Sequence, residues 1–403
     1  MAVNLSAPGD LLPVDGVRLG ITSAGVRTAG REDLLLIALD AGTSVAGLFT
    51  SNAFSAAPVQ ICRSRLRERT AVRGLLINSG NANAGTGAAG LEAARHCTAA
   101  AETQVGGMVL PFSTGVIGEP LPAARIASAV PRAADRLRPD GWLEAARAIM
   151  TTDTQPKAVS RQLSIDGQTL TITGIAKGAG MICPDMATML AFIATDATIS
   201  RSTLQEVLER AAADSFNAIT VDGDTSTNDS LMLMATGAAG GAALVPDSEQ
   251  LAAFEATLAE LCVELAQAVV RDGEGATRFI TISVAGARDR SEARRVAYTL
   301  AHSPLFKTAA FAGDANWGRI LAAVGRAPVE ALDLSRVAIA IDEVPLIAGG
   351  EPHPEYSEAR GSAVFARAEF GVNIDLGRGD AQASVYTCDL SHDYVRINAE
   401  YRS

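Results

Sequence analysis

The sequence predicts an α/β protein in which strands and helices pack in layers. It is rich in alanine and contains 37 glycines, whereas aromatic residues make up only 4% of it. Small residues allow helices and strands to approach one another closely. The first part of the chain alternates apolar runs with glycine and asparagine turns, which is typical of short strands. At roughly 150 residues per domain, a chain of 403 residues is expected to form two or three packed units.

The N-terminal half contains several apolar runs that are bounded by turn residues. We expect Asp33–Ala38 and Val45–Thr50 to be strands of one sheet. Gly74–Asn78 is another predicted strand, and it leads into the polar loop SGNANAGTG. Residues 90–102 are predicted to form a helix. Asp166-Gly167 separates two apolar segments and is a strong signal for a two-residue hairpin turn.

Two helices are predicted in the following part of the chain. Ser202, with Gln205 three residues later, resembles a capping box at the start of a helix. Residues 248–270 have apolar side chains at helical spacing, and Gly273 ends the run. The spaced positions are Leu251, Phe254, Leu258, Leu261, Leu265 and Val269.

From about Phe279 onward the pattern again becomes rich in strands. The segments ITISVAG, VAIAIDEV, FGVNIDL and ASVYTCDL are predicted strands, and Glu358–Glu369 is a predicted helix. This change of pattern predicts a domain boundary near residue 280, with domains at 1–280 and 281–403.

Charge and cysteine usage exclude several classes of function. The 34 basic and 45 acidic side chains give a net charge of -11, which argues against non-specific nucleic-acid binding. We find no secretory signal and no stretch long and apolar enough for a membrane span. The five cysteines form no CxxC pair and the four histidines form no HExxH motif. We therefore expect a cytoplasmic protein without a metal or cofactor.

The segment Lys177–Leu190, KGAGMICPDMATML, is the most informative part of the sequence. Its start is small and flexible, Cys183-Pro-Asp185 predicts a turn, and Met189–Ala194 predicts a buried strand. Thr188 therefore lies where a turn enters a strand. The segment is no phosphate-binding loop, because Lys177 precedes its glycines. From these residues alone, the preferred interpretation is a glycine turn before a core strand whose threonine simply favours β structure.

This segment resembles the self-cleavage segment of the ornithine acetyltransferases, the glutamate N-acetyltransferases of arginine biosynthesis. Further stretches resemble the same family in the same order, and together they span essentially the whole chain. They are NSGNANAGTG, STGVIG, TTDT, DGDTSTNDS, RDGEGATRF, GDANWGRI and the C-terminal CDLSHDYVRINAEYRS. Arg278 stands where the family usually has lysine, and Ser403 stands where many members have threonine.

The resemblance implies a fold and a processing event. The fold is a four-layer α/β/β/α sandwich of the self-cleaving N-terminal-nucleophile type, with a smaller C-terminal α/β domain. Cleavage between Ala187 and Thr188 gives an α chain, 1–187, and a β chain, 188–403. The two chains are expected to stay together and to pair again into an (αβ)₂ heterotetramer.

The resemblance also implies acetyl transfer from N-acetylornithine to glutamate through an acetyl-Thr188 ester, in a ping-pong reaction. A threonine hydroxyl is a weak nucleophile that needs a base. Cleavage before Thr188 frees an α-amine, which titrates at roughly 7.7–8.0 and suits this task. Thr114 and Gly115 in STGVIG match the donors that stabilise the oxyanion. Without the resemblance, STGVIG is a serine- or threonine-capped loop.

The substrates are amino acids, and the resemblance assigns them five contacts besides Thr188. Lys177 faces the α-carboxylate, although a solvated surface lysine is the usual alternative. Thr151 contacts substrate, with the neighbouring threonine as the alternative. Glu274 faces the ornithine side-chain amine, or is simply a charged residue after a helix. Asn398 and Ser403 supply the last two contacts.

Two questions stay open at this stage. The residues do not decide whether acetyl-CoA serves as a second donor. The segment Asp222–Asp229 superficially resembles a metal loop but lacks the EF-hand pattern, so we expect structural polar packing there.

An aminopeptidase or amidase on a similar self-cleaving scaffold is the alternative enzyme. An uncleaved protein that only binds a small molecule is the alternative of a different class.

Overall fold

The structure is a computed structural model that describes residues 2–68, 70–183 and 189–400. Internal contacts divide the chain into two compact units. The larger unit contains Ser6–Asn217 and Asp224–Val269. The smaller unit contains the chain from Val270 onward, together with the N-terminal segment up to Leu5 and the stretch Ala218–Gly223. The expected boundary near residue 280 falls inside a strand of the smaller unit, and the two units separate earlier, between Val269 and Val270.

Within the described residues, the larger unit contains two β-sheets. The strands are β1 (Val17–Thr22), β2 (Leu34–Leu39), β3 (Ser44–Phe49), β4 (Val72–Asn81), β5 (Met108–Val116), β6 (Lys157–Ile165), β7 (Gln168–Lys177), β8 (Leu190–Thr195) and β9 (Ser230–Ala235). The first sheet has the order β1-β2-β4-β5, and the second has the order β3-β9-β8-β7-β6. Two neighbouring pairs are parallel, β4 with β5 and β8 with β9.

The helices of the larger unit complete a four-layer arrangement. They are α1 (Ala57–Arg67), α2 (Gly87–Val105), α3 (Ala123–Ala134), α4 (Trp142–Ala148), α5 (Arg201–Ala213) and α6 (Glu249–Arg271), whose last turn extends into the smaller unit. α2 and α3 pack on the outer face of the first sheet. α5 packs against β3 and β9 of the second sheet, and Leu261 and Leu265 of α6 lie over Gly174 of β7.

The two sheets face each other across an apolar core to which both contribute. Phe112 of β5 and Phe192 of β8 meet there edge to face, with their ring centroids 5.0 Å apart. The layers are therefore helix, sheet, sheet and helix. This confirms the predicted α/β/β/α sandwich of the N-terminal-nucleophile type.

Several local predictions are confirmed. Asp166 and Gly167 join β6 to β7 with φ angles of 51° and 81°, as a two-residue hairpin turn requires. α6 covers the predicted helix, and the spaced apolar positions Leu251, Phe254, Leu258, Leu261, Leu265 and Val269 are all buried.

Two other predictions are wrong in detail. The strands predicted over Asp33–Ala38 and Val45–Thr50 do not share a sheet, because the short turn after Asp40 carries the chain from one sheet to the other. α5 is capped by Ser200, which accepts a hydrogen bond from the Thr203 N–H, and not by Ser202. The Gln205 side chain instead accepts the N–H of Gly47 in β3.

The smaller unit contains one described six-stranded sheet with helices. The strands are β10 (Phe279–Ala287), β11 (Ala338–Ile341), β12 (Val344–Ala348), β13 (Glu351–Pro352), β14 (Glu369–Asp375) and β15 (Ala381–Cys388), in the order β13-β12-β11-β14-β10-β15. The helices are α7 (Arg290–Ala301), α8 (Pro304–Ala312), α9 (Trp317–Gly325), α10 (Glu358–Phe365) and α11 (His392–Ala399). The predicted α/β character of this part is confirmed.

The helix predicted over Glu358–Glu369 is too long. α10 ends at Phe365, whose ring packs against Phe370, and Glu369 already belongs to β14. Glu369 is paired with Phe279 of β10, and its carboxylate binds Arg271 at 2.8 Å. No helix of the described chain combines the length and the apolar content that crossing a bilayer requires.

Candidate active site

The end of β5 is shaped by close contact between two parallel strands. Gly115 lies opposite Gly80 of β4 and has a φ angle of 133°. A Cβ atom on Gly115 would lie 2.3 Å from the carbonyl carbon of Gly80. Only glycine fits here, so the sequence STG places the Gly115 N–H and the Thr114 hydroxyl together at this end of the sheet.

Lys177, at the end of β7, points its ammonium at Thr114. The Lys177 Nζ donates a hydrogen bond to Thr114 Oγ1 at 3.0 Å, and the two residues are only 4% and 6% exposed. Because an ammonium group can only donate, the hydroxyl hydrogen of Thr114 can be given to another group. Two predicted site residues, one from each sheet, therefore meet in the interior.

Asp153 is a buried carboxylate beside this pair. Its Oδ1 binds the Lys157 ammonium at 2.6 Å and accepts the Gly178 N–H at 2.7 Å, and its Oδ2 accepts the Thr151 N–H at 3.0 Å. Burial raises its pKa, but the charges of Lys157 and Lys177 and the hydrogen bonds outweigh burial and lower the pKa of Asp153 overall. Asp153 therefore stays ionised and holds the backbone at Thr151 and directly after Lys177.

The parallel strands β8 and β9 begin side by side, next to the same lysine. Leu190 is the register partner of Lys177 on one side and of Ser230 on the other. The residues that precede the two strands are also joined, since the Met189 N–H donates to Asp229 Oδ1 at 3.0 Å. Met189 directly follows Thr188 in the sequence.

Asp229 is also buried, but its pKa is shifted in the opposite direction from that of Asp153. Burial raises the pKa of its carboxyl well above the usual range, against the opposing effects of the Met189 N–H, Ser226 and the Lys177 charge. Within the described residues, its Oδ2 has no hydrogen-bond partner.

Asn228 joins this strand start to the first sheet. Its side-chain amide donates to the carbonyl oxygens of Ala82 at 2.6 Å and Ser113 at 2.8 Å. Ser113 directly precedes Thr114 in the sequence. Asn228 and Asp229 therefore connect the STG segment of β5 to the start of β8.

The smaller unit brings two further predicted residues together. Asn398 of α11 donates to Glu274 Oε2 at 2.8 Å, and Glu274 is only 8% exposed. Gly275 allows this arrangement, because a Cβ atom there would lie 2.5 Å from the Tyr394 nitrogen. The structure thus places Thr114, Gly115, Thr151 and Lys177 in the larger unit, and Glu274 and Asn398 in the smaller unit.

Three predicted residues lie outside the described part of the chain. They are Ala187 and Thr188, the predicted cleavage pair, and Ser403.

Sequence reasoning gave no individual role to Asp153, Asn228 or Asp229. Asp153 lies in TTDT, where attention fell on the threonines, and the other two lie in a segment interpreted as structural polar packing. For Asp229 the available signal was an acidic residue directly before the apolar strand β9, whereas Asp153 and Asn228 are not adjacent to a strand. That signal does not reveal which backbone group the side chain contacts.

The four-layer fold, with a buried pair formed by Lys177 at the end of β7 and Thr114 near the end of β5, has the architecture of the N-terminal-nucleophile class. A sequence model of the ArgJ family matches residues 18–403. The chain therefore belongs to the ArgJ family, the ornithine acetyltransferase family that its motifs indicate, and is an acetyltransferase of arginine biosynthesis.

Two full-length relatives agree with this assignment. The chain is 56% identical over 396 residues to the arginine biosynthesis bifunctional protein ArgJ of Methylococcus capsulatus, covering 98% of this chain and 97% of that protein. It is 52% identical to the protein of the same name from Pseudomonas fluorescens, over the full length of both. A crystal structure of the Bacillus halodurans protein argJ is 40% identical, covers 51% of this chain and 96% of that chain, and gives a TM-score of 0.49.

Proposed function

We propose that this chain cleaves itself between Ala187 and Thr188 and then transfers acetyl from N-acetylornithine to glutamate through an acetyl-Thr188 ester. The supporting observation is the position of Lys177. Its Nζ contacts Thr114 at 3.0 Å, while its backbone is the register partner of Leu190, two residues after Thr188. The candidate oxyanion donors and the start of the predicted nucleophile strand therefore share one buried lysine.

Self-cleavage converts an internal threonine into a nucleophile with its own base. The Thr188 Oγ attacks the Ala187 carbonyl carbon, the bond to the Thr188 nitrogen breaks, and water hydrolyses the resulting ester. The new α-amine then lies on the same residue as the hydroxyl. It needs no metal or cofactor to remove the hydroxyl proton.

Acetyl transfer follows in two balanced half-reactions. The Thr188 Oγ forms a bond to the acetyl carbon, the C–N bond of N-acetylornithine breaks, and the α-amine passes the hydroxyl proton to the departing ornithine nitrogen. The glutamate nitrogen then attacks the ester, and its proton returns to Thr188 as the C–O bond breaks. Each half-reaction forms an oxyanion, which the Thr114 hydroxyl and the Gly115 N–H stabilise.

The Lys177 charge strengthens this oxyanion site. An ammonium that donates to Thr114 Oγ1 makes the Thr114 hydroxyl a better donor, and burial keeps the charge from being screened by water. Lys177 also supplies a positive charge for the substrate α-carboxylate. We further propose that Thr151, Glu274, Asn398 and Ser403 contact substrate.

Mass measurement and substrate assays test the proposal together. The purified protein should show two polypeptides under denaturing conditions, one of which starts at Thr188. Thr188→Ala should remain intact and inactive. Ornithine release from N-acetylornithine should depend on glutamate, whereas release without glutamate would support the amidase alternative. A continuous, fully active chain would refute the proposal.

A second donor and the assembly are also proposed. The relatives are called bifunctional, which supports acetyl-CoA as an additional acetyl donor to glutamate. N-acetylglutamate formation from acetyl-CoA, in the absence of N-acetylornithine, tests this. The α and β chains are proposed to form (αβ)₂, which the native mass tests.

A further inference from the structure

Asp229 is a buried carboxyl to which the acetyl-transfer scheme gives no task. Asp229 directly precedes β9, and its Oδ1 accepts the N–H of Met189, which directly precedes the parallel strand β8. That N–H belongs to the peptide bond between Thr188 and Met189. Asp229 therefore binds the chain at the peptide group next to the proposed nucleophile.

The other carboxyl oxygen is poised to hold a proton. Oδ2 is buried and, in the part of the chain that the structure describes, meets no hydrogen-bond partner. An ionised carboxylate with an unsatisfied buried oxygen is costly, whereas the neutral acid carries an O–H that can be donated. Burial raises the pKa of Asp229 well above its usual range, which favours the neutral form. Because Oδ1 accepts the Met189 N–H, the proton belongs on Oδ2.

The reacting nitrogen belongs to Thr188, the residue directly before Met189. Three bonds separate the Met189 nitrogen from the Thr188 nitrogen, which limits their separation to roughly 3.7 Å. Asp229 therefore binds a nitrogen that covalent geometry keeps close to the reacting one, and a general acid or base acts directly or through one water.

We propose that Asp229 is the proton relay of self-cleavage at Thr188, an inference that rests on the proposed function. As the Thr188 Oγ bonds to the Ala187 carbonyl carbon and the Ala187–Thr188 C–N bond breaks, Oδ2 gives its proton to the departing Thr188 nitrogen. The carboxyl takes up the Thr188 hydroxyl proton in return. The peptide becomes an ester, and Asp229 ends the step neutral, as it began.

The charge environment determines the pH dependence. Lys177 acts on Asp229 and favours its ionised form, and Ser226 acts in the same direction. Both are outweighed by burial. The cleavage rate should therefore be highest at low and neutral pH and should fall as the pH rises through the raised pKa of Asp229.

Asp196 offers a matched control at the other end of β8. It directly follows this strand, its Oδ1 accepts the Thr171 N–H at 2.8 Å, and burial raises its pKa as well. It shares the chemistry of Asp229 but not the position beside Thr188. Asp196→Asn should therefore leave cleavage unchanged.

The test follows the conversion of freshly synthesised full-length chain into two fragments over time, by denaturing electrophoresis and mass, between pH 6 and pH 10. Asp229→Asn keeps the size and one oxygen acceptor but removes the exchangeable acid proton. We expect it to fold with a melting temperature at or above that of the wild type. We expect it to cleave about 10²-fold more slowly, as for loss of a general acid–base group, and to lose the decline at high pH.

The outcomes separate this inference from the proposed function. If Asp229→Asn cleaves at the wild-type rate with the wild-type pH profile, the relay is overturned, while cleavage at Thr188 still stands. If the wild type stays intact, or Thr188→Ala is cleaved, the proposed function itself fails. Should Asp229→Asn not fold, the wild-type profile decides, because a rate that does not decline at high pH overturns the relay.

Discussion

Replacing Lys177 by methionine tests the buried pair at the centre of the site. Methionine keeps a similar apolar volume but removes the ammonium that donates to Thr114 Oγ1 at 3.0 Å. A hydrogen bond from a charged donor contributes about 1.5–3 kcal/mol. Since Lys177 is only 4% exposed, little of this is lost to solvent screening. At about 1.36 kcal/mol per factor of ten, kcat/KM for N-acetylornithine should fall by roughly 10- to 150-fold.

Steady-state kinetics can separate the two tasks that we assign to Lys177. Loss of a carboxylate contact alone would raise KM, whereas loss of support for the Thr114 hydroxyl would lower kcat. A double-mutant cycle with Thr114→Ala should be non-additive, because the two residues contact each other. An unchanged kcat/KM, or strict additivity, would refute the argument.

Lys307 supplies the control for burial. It is 3% exposed, and its Nζ donates to Thr387 Oγ1 at 2.9 Å and to the Cys388 carbonyl. Lys307→Met therefore removes a similar lysine–threonine pair within the smaller unit. It should lower the melting temperature about as much as Lys177→Met does, but leave kcat/KM per folded molecule unchanged.

Three further predictions follow from the same geometry. Gly115→Ala should prevent cleavage and lower the free energy of unfolding by several kcal/mol, because its Cβ would lie 2.3 Å from the Gly80 carbonyl carbon. Gly42→Ala is the control, since Gly42 also has a positive φ, 90°, but a Cβ there would meet nothing within 4 Å. It should lower the free energy of unfolding in chemical denaturation by only about 1–2 kcal/mol. Asn228→Ala removes the side-chain donor of two buried carbonyl oxygens. It should lower the free energy of unfolding by about 1–3 kcal/mol for each oxygen and slow cleavage. An unchanged melting temperature would contradict this. Asp153→Asn breaks a buried pair and should cost about 3–5 kcal/mol. Because folding lowers the pKa of Asp153, this carboxylate stabilises the folded state above the unfolded pKa of about 3.9, and the stabilisation is lost as the pH falls below that value. In the Asp153→Asn variant, the free energy of unfolding should therefore depend less on pH in the acid range.

Local patterns in the sequence were sufficient for several elements. The periodic apolar positions of α6 and the Asp-Gly turn between β6 and β7 each depend on neighbouring residues only, and both were predicted correctly. The length of α10 was not, because the helix ends at Phe365 and Glu369 already belongs to β14, where it pairs with β10 and binds Arg271. Those partners are distant in the sequence and leave no local signal.

In the candidate site, too, the sequence identified residues but not the contacts between distant parts of the chain. The resemblance carried by the motifs identified Thr114, Gly115 and Lys177 as site residues. It assigned Lys177 to the substrate carboxylate and said nothing of its hydrogen bond to Thr114, which joins residues 63 positions apart in the chain. A lysine has the same sequence signature whether it is solvated or buried against a hydroxyl.

By itself, the sequence determined the family, the layered α/β class and the position of the predicted nucleophile at the start of an apolar strand. These depend on residue type and order, which need no folding to be visible. Only the tertiary structure decided which sheet each strand joins and which charges share the interior. It lowered the pKa of Asp153 and raised that of Asp229, because nearby buried ammonium groups favour the ionised form of the side chain and burial favours the neutral form.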